Sequence, residues 1–107
     1  MKMNLEELKK KLKSYKRKDI IVTDHADLQA LTRQIEVEEV KENIVNPNKL
    51  VYFEEQESKN KNEGKYDCYF EYSKTYAHRY ILTVNGKLII VTIIRINRDW
   101  QKIVERK

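Results

Sequence analysis

The dipeptide Asn85-Gly86 separates two runs of apolar and β-branched residues, Tyr76–Val84 and residues 87–96. A type I′ turn needs positive φ angles at both central residues, which asparagine and glycine tolerate best, and its twist matches that of paired strands. The sequence therefore predicts an antiparallel hairpin that closes through a two-residue turn at this dipeptide.

The register of this hairpin predicts which strand residues share a face. It places His78 opposite Ile93, and a second turn at residues 74–75 places Glu71 opposite His78. A one-residue shift would exchange the two faces. The face predicted to be open carries Asp67, Tyr69, Glu71, Tyr76, His78, Tyr80, Leu82, Ile89, Val91, Ile93 and Arg95. The face predicted to be core carries Cys68, Phe70, Tyr72, Ala77, Arg79, Ile81, Thr83, Ile90, Thr92 and Ile94.

The N-terminal half reads mainly as helix. Asn4 and Glu7 have the spacing of a capping box, followed by a narrow stripe of leucines among lysines, which predicts a basic amphipathic helix over residues 4–18. The remaining patterns predict a short edge strand at 20–23, helices at 25–34 and 36–45, a strand from Leu50, a polar loop at 57–65, a strand at 66–73 and a C-terminal helix or tail at 99–107.

These elements predict an α+β domain with its N-terminal helices packed on one face of a four-stranded antiparallel meander sheet. The chain divides into the basic helix, residues 1–18, and a single domain, residues 19–107.

Charge is unevenly distributed along the chain, whose net charge is +5. Residues 1–18 hold eight basic and two acidic side chains, residues 19–73 hold six and thirteen, and residues 74–107 hold eight and two. Basic segments of this kind favour a polyanion such as RNA as partner, although each is also compatible with an ordinary solvated surface.

Several functional classes are disfavoured by composition. The chain has no apolar run long enough to span a membrane, and its single cysteine excludes a disulfide framework or a cysteine-based zinc site. Its two histidines lack metal-ligand spacing and it has no glycine-rich phosphate loop, so we expect neither metal nor cofactor. The charged N-terminus does not have the pattern of a signal peptide. We therefore expect a cytoplasmic location.

The predicted open face could cleave RNA without a metal. Attack by a 2′-hydroxyl needs a base, an acid and cations that neutralise the phosphate. Glu71, His78 and Arg95 would supply these groups, with Tyr80 or Tyr69 stacking on a base. The alternative is that His78 is an ordinary strand histidine paired with Glu71.

Further candidates lie at both ends of the domain. His25 begins a helix and is either an acid–base group or a surface residue, and Arg33 either binds phosphate or pairs with the acidic helix that follows. Near the C-terminus, Arg95 and Arg98 suit phosphate, and Trp100 either stacks on a base or packs against the domain.

Two segments resemble known toxin-like families. Thr23-Asp24-His25-Ala26, Arg33, the stretch 35–40 and Asn46-Pro47 are similar to the H-A…R…N-P opening of a small uncharacterised domain family grouped with the BrnT and RelE-type toxins. Residues 78–98 are similar to the closing strand-turn-strand segment of RelE-type ribonucleases.

The resemblance implies a barnase/RelE-like fold and a metal-independent endoribonuclease, the toxin of a toxin–antitoxin pair. It matches Arg79 and Arg98 to phosphate-binding arginines, and His25 and Arg33 to hallmark positions. It points Arg79 toward substrate, whereas strand alternation places Arg79 on the core side.

Two main hypotheses result. The first is a ribonuclease toxin neutralised by an antitoxin protein, with catalytic residues His25, His78, Arg79 and Glu71 and with RNA or phosphate contacts from Arg33, Tyr80, Arg95, Arg98 and Trp100. The second is a non-catalytic RNA- or protein-binding module of the same fold. A third option is a homodimer formed through the edge strand at residues 50–55.

Overall fold

The computed structural model describes residues 3–56 and 63–97. The predictions for the middle of the polar loop and for Arg98, Trp100 and the rest of the C-terminal segment lie outside these ranges. The helices are α1 (Leu5–Lys13), α2 (Asp24–Thr32) and α3 (Val37–Val45), and the strands are β1 (Ile20–Val22), β2 (Leu50–Gln56), β3 (Gly64–Ser73), β4 (Tyr76–Val84) and β5 (Leu88–Ile96).

The described strands form one five-stranded mixed sheet in the order β1-β5-β4-β3-β2. The segment from β2 to β5 is the predicted antiparallel meander. The prediction of four strands is wrong because β1 joins the same sheet, parallel to β5, with Ile20 beside Leu88. A pairing between strands so far apart in sequence has no local turn signal.

All three described helices pack on one side of the sheet, as predicted, and the protein has an α+β fold. None of these helices combines the length and apolar content needed to cross a membrane. The core lies between the helices and the sheet, and both layers contribute buried side chains to it. From the helices come Leu8, Leu12, Ala26, Ala30, Val40 and Ile44, and from the central strands come Cys68, Phe70, Tyr80, Leu82, Val84, Leu88, Ile90 and Ile93.

Helix α1 is shorter than predicted. The capping box at Asn4 and Glu7 is present, but the helix ends at Lys13 and a 3₁₀ turn occupies Arg17–Asp19. The Ser14 hydroxyl donates to the Lys11 carbonyl, which competes with continuation of the helix. The lysines among residues 14–18 therefore lie on turns and not on the helix.

The loop of the β4–β5 hairpin has three residues. Val84 pairs with Leu88, and the φ angle is positive only at Gly86, not at Asn85. The predicted two-residue type I′ turn is therefore wrong, and the register is shifted by one residue from its start.

Two bulges determine which residues lie under the helices. One leaves Tyr72 unpaired in β3 and the other leaves Val91 unpaired in β5. Each bulge displaces the register by a further residue and exchanges inward and outward positions beyond it. We call the helix-covered side of the sheet the covered face and the opposite side the second face.

The face prediction is consequently correct for β3 and inverted for β4. Cys68 and Phe70 lie on the covered face as predicted, but His78 and Tyr80 join them there while Arg79 lies on the second face. The second face has its own small buried cluster, formed by Tyr69, Ala77 and Ile96 with Tyr52 and Ile94 packed against it.

We predict that Gly86→Ala lowers the free energy of unfolding by about 1 kcal/mol. The φ of Gly86 is +92°, a conformation that a Cβ disfavours, although no atom lies within 4 Å of where that Cβ would be. Asn85→Ala, beside it at a φ that is not positive, is the matched control. Equal urea midpoints for the two variants would contradict this account of the turn.

Candidate functional site

His78 lies in the middle of a buried row of polar rings on β4. Residues two apart on a strand face the same side, so Tyr76, His78 and Tyr80 are adjacent. The Tyr80 hydroxyl lies 2.6 Å from His78 Nδ1, and the Tyr76 hydroxyl lies 3.3 Å from His78 Nε2. Both ring nitrogens therefore have a tyrosine partner.

Helix α3 extends this row into a network. The Asn43 side-chain nitrogen donates to the hydroxyls of Tyr80 and Tyr72, each at 2.9 Å, and the Tyr72 hydroxyl donates to the Glu39 carboxylate. We call these residues the tyrosine–histidine cluster; they are Glu39, Asn43, Tyr72, Tyr76, His78 and Tyr80.

The cluster holds His78 neutral. Burial lowers the pKa of His78 to about 4, with the Arg95 guanidinium acting in the same direction and the Glu39 carboxylate against it. Burial also raises the pKa of Tyr80 and of Tyr72. At neutral pH the rings of His78, Tyr72 and Tyr80 are therefore uncharged and serve as hydrogen-bond partners for their neighbours.

Substrate has no route to this histidine through the described residues. His78 is fully buried, and the Tyr72 ring stacks on it with centroids 4.5 Å apart. The predicted exposure of His78 and Tyr80 is therefore wrong. The bulge at Tyr72 is the physical reason, because it turns this row of β4 inward.

Arg79 is exposed on one side but is already paired. Its Nε donates to Asp67 Oδ1 at 2.8 Å and its Nη2 to Asp67 Oδ2 at 2.5 Å. The Asp67 side chain is 1% exposed and that of Arg79 is 26% exposed. The guanidinium also lies 5.4 Å from the centre of the Tyr69 ring. This geometry fixes Arg79 as a counterion on the second face.

The predicted catalytic set is divided between the two faces. Glu71 pairs with Ala77 instead of His78 and alternates onto the second face. Arg95 is the cross-strand partner of His78, where Ile93 had been predicted, and both lie on the covered side. The sheet therefore separates Glu71 and Arg79 from His78 and Arg95.

His25 and Arg33 lie at opposite ends of α2. Thr23 caps this helix in place of the predicted Asp24, because its hydroxyl accepts the Ala26 amide at 3.1 Å. His25 is exposed in the first turn and Arg33 is half-buried at the C-cap. Both belong to the helical layer, so the sheet also stands between them and Arg79.

A groove lies elsewhere, beside the lysine-rich turns. It has a volume of about 460 Å³ and lies where the end of α1, β1 and the β4–β5 turn meet. Its lining residues are Ser14, Tyr15, Lys18, Asp19, Ile21, Gly86 and Lys87. Sequence reasoning found the lysines of this region but missed Lys87 and Tyr15, because only the parallel pairing of β1 with β5 brings them together.

The groove adjoins a run of cations that we call the basic segment. Within the described ranges, only its Arg17 has an acidic partner, Glu42. The members of the basic segment are Lys9, Lys10, Lys11, Lys13, Lys16, Arg17 and Lys18.

Metal chemistry has no support among the residues described. They contain no group of three or more histidine, cysteine, aspartate or glutamate side chains that could hold an ion. Cys68 is fully buried, and burial raises the pKa of its thiol, which makes it unreactive.

Comparisons of the chain with protein-family models, with curated proteins and with solved structures gave no match in any of the three. The resemblance to toxin-like families therefore stays a prediction.

We predict that stability decreases as the pH falls from about 6.5 to about 4. The unfolded chain binds a proton at this histidine near pH 6.5, whereas the folded chain does so only near pH 4. The contribution of neutral His78 is thus fully present above pH 6.5, and about 3 kcal/mol of it is lost by pH 4. Urea denaturation across this range measures the loss.

His25→Gln is the control for this titration, since it removes the exposed histidine and leaves His78 as the only imidazole. Nuclear magnetic resonance of the remaining ring should report its protonation near pH 4. A midpoint near pH 6.5 would contradict the buried neutral state.

We predict that Arg79→Ala lowers the free energy of unfolding by about 3 kcal/mol, because it leaves the buried Asp67 carboxylate without its partner. The double change Asp67→Asn with Arg79→Gln removes both charges and should cost less than the single change. An Arg79→Ala protein as stable as wild type in urea would show that Arg79 is not a structural counterion.

Proposed function

We propose that this chain is a non-catalytic binding module that holds single-stranded RNA through its basic segment and the adjoining groove. The observation that carries the proposal is the concentration of seven cations in residues 9–18, only one of which has an acidic partner among the described residues. A cytoplasmic location is part of the proposal.

Electrostatics supplies the affinity in this proposal. Lysines so close together repel one another, and only those in the last turn of α1 gain from the helix dipole, by about 0.3–1 kcal/mol each. Phosphates relieve this repulsion and release their own counterions into solution. A polyanion is therefore the partner whose charge complements the segment.

The groove favours an unpaired strand over a duplex. The half-buried Tyr15 lines the groove together with the exposed cations Lys18 and Lys87. Aromatic side chains stack on bases only where those bases are unpaired, and neighbouring cations bind the backbone. An aromatic ring and two lysines in the lining of one groove suit this mode.

The endoribonuclease hypothesis receives less support from the described residues. Cleavage needs an acid and a base on either side of one phosphate, whereas His78 is buried and Arg79 is neutralised by Asp67. Binding without turnover requires neither group. The antitoxin partner and the homodimer through residues 50–55 stay predictions; β2, which carries those residues, is an edge strand of the sheet.

A direct assay separates binding from cleavage. Labelled single-stranded RNA is incubated with the purified full chain in EDTA, and the length and the bound fraction of the RNA are both measured. Intact, salt-sensitively bound RNA supports the module. Cleavage by wild type that His25→Gln abolishes would instead support the enzyme and refute our proposal.

We predict that Lys87→Gln weakens RNA binding and reduces the slope of log affinity against log salt by about 0.7, the contribution of one phosphate contact to a single strand. Lys74→Gln is the matched control. Both lysines are exposed in hairpin turns, but these turns lie at opposite ends of β4, whose nine residues span about 30 Å. Equal loss in both variants would indicate attraction by net charge alone and would refute a site at the groove.

A further inference from the structure

Helix α2 presents its largest apolar side chains to solvent. Ala26 and Ala30 face the core and are almost fully buried, whereas Leu28 is 62% exposed and Leu31 is 76% exposed. A surface helix normally has the reverse arrangement, with leucines inside and small or polar residues outside. Because the two leucines are three residues apart, they share one side of the helix.

The close approach of α2 to the sheet explains the alanines. The Gln29 side chain accepts a hydrogen bond from the Ile93 amide at 2.9 Å, which places the helix directly against β5. Small side chains such as alanine are needed where a helix packs directly against a strand. This constraint does not account for the leucines on the outer side, where charged residues would cost nothing.

A groove whose backbone is held by hydrogen bonds lies beside Leu31. It has a volume of about 250 Å³ and lies between the outer side of α2 and the start of α3. The chain between the helices is fixed because the Ile35 amide donates to the Ala30 carbonyl at 2.8 Å, and that of Gln34 to the Leu31 carbonyl. These are the two hydrogen bonds of a Schellman motif. Gln34 takes a φ of +57° there, a conformation usually left to glycine.

The rim of the groove is acidic. Asp27, Glu36 and Glu38 line it, and Asp24 lies one turn before Asp27 on the same side of α2. None of the four forms an ion pair with another residue of the described chain. Acidic residues at the start of a helix complement its dipole, but that role does not explain their position around exposed leucines.

We propose that this surface, which we call the α2 patch, docks an amphipathic helix of a partner protein that has leucine-like residues on one side and lysine or arginine along their flanks. Apolar anchors would fill the groove beside Leu28 and Leu31, and the flanking cations would meet the acidic rim. The complementarity of the rim to cations is the observation that selects this occupant.

Within residues 3–56 and 63–97, a second copy of this chain offers no helix that fits that description. Its own basic helix is α1, whose Leu8 and Leu12 are fully buried in the core. That helix could present its apolar side to a neighbour only by leaving its own domain. We therefore assign the patch to a different protein, and its site shares no residue with the RNA groove.

The test uses a fluorescent synthetic helix with leucines at positions i, i+3, i+4 and i+7 and lysines at the other positions. A peptide of the same composition in scrambled order is the control for charge alone. We expect the patterned peptide to bind the full chain at least tenfold more tightly than the scrambled peptide. Its binding should perturb the amide resonances of residues 27–38.

Variants locate the binding. Leu28→Ser combined with Leu31→Ser should weaken the patterned peptide at least tenfold, and Asp27→Asn with Glu38→Gln should reduce the salt dependence of binding. Val51→Ser, at an apolar residue that is 38% exposed on β2, is the matched control and should bind like wild type. Thermal melting checks the fold, and Leu31→Lys provides an independent change at the most exposed position.

Three results would overturn the proposal. The first is absence of binding by the patterned peptide, or equal binding by the scrambled one. The second is unchanged binding in both leucine variants. The third is a wild-type dimer in sedimentation that becomes monomeric in those variants, because it would assign the patch to a second copy.

Discussion

The alternation of β4 between the helical layer and the second face is the constraint on which the remaining structure depends. One row of its side chains ends in Leu82 and Val84, which are buried among the helices, so every second residue before them must also face inward. That geometry carries His78 and Tyr80 into the interior. A polar ring buried in this way is tolerated only with hydrogen-bond partners.

The partners come from α3 and from the neighbouring tyrosines. Asn43 on α3 reaches two tyrosine hydroxyls, and His78 uses both ring nitrogens. No buried side-chain nitrogen or oxygen within the described ranges lacks a hydrogen bond. The cluster therefore orients α3 on the sheet in a way that apolar packing alone, which is not directional, does not. This is a structural role for His78, the residue that the sequence predicts to be catalytic.

Element types followed from the sequence because their signals are local. The capping box at Asn4, the stop at Asn46-Pro47 and the apolar runs on both sides of Gly86 each predict an element from a few adjacent residues. Each of these elements is present, although α1 ends at Lys13 and not at residue 18. The prediction of which sheet face each residue of β4 lies on was wrong. Such a prediction counts residues from a turn, so every register shift between the turn and the residue changes the result. Neither Tyr72 nor Val91 has a side chain that marks a bulge, so the inversion of β4 could not be read from the sequence.

Whether the candidate residues lie together in the structure depended on the same register. Glu71, His78 and Arg79 depended on register, and the structure placed them on different sides of the sheet. The basic segment is defined by residues that are close together in the sequence, so predicting it required no strand register. Its completion by Lys87 needed the parallel pairing of β1 with β5, a contact between the two halves of the chain. Local charge was predictable, whereas the groove that gives it shape was not.

Because basic and acidic residues lie in different parts of the sequence, they form different surfaces of the folded domain. The basic segment and the acidic α2 patch lie on different elements, and the exposed pair Arg17–Glu42 is the ion pair that joins the segment to the helical layer. Exposed pairs of this kind contribute at most about 1 kcal/mol, and this pair leaves the other six cations of the segment without an acidic partner among the described residues. At physiological salt the screening length is about 8 Å, short against molecular dimensions of 34 × 30 × 25 Å. Each surface therefore acts through its own nearby charges, so the cationic site that we propose for RNA and the anionic site that we propose for a basic helix do not cancel each other's fields.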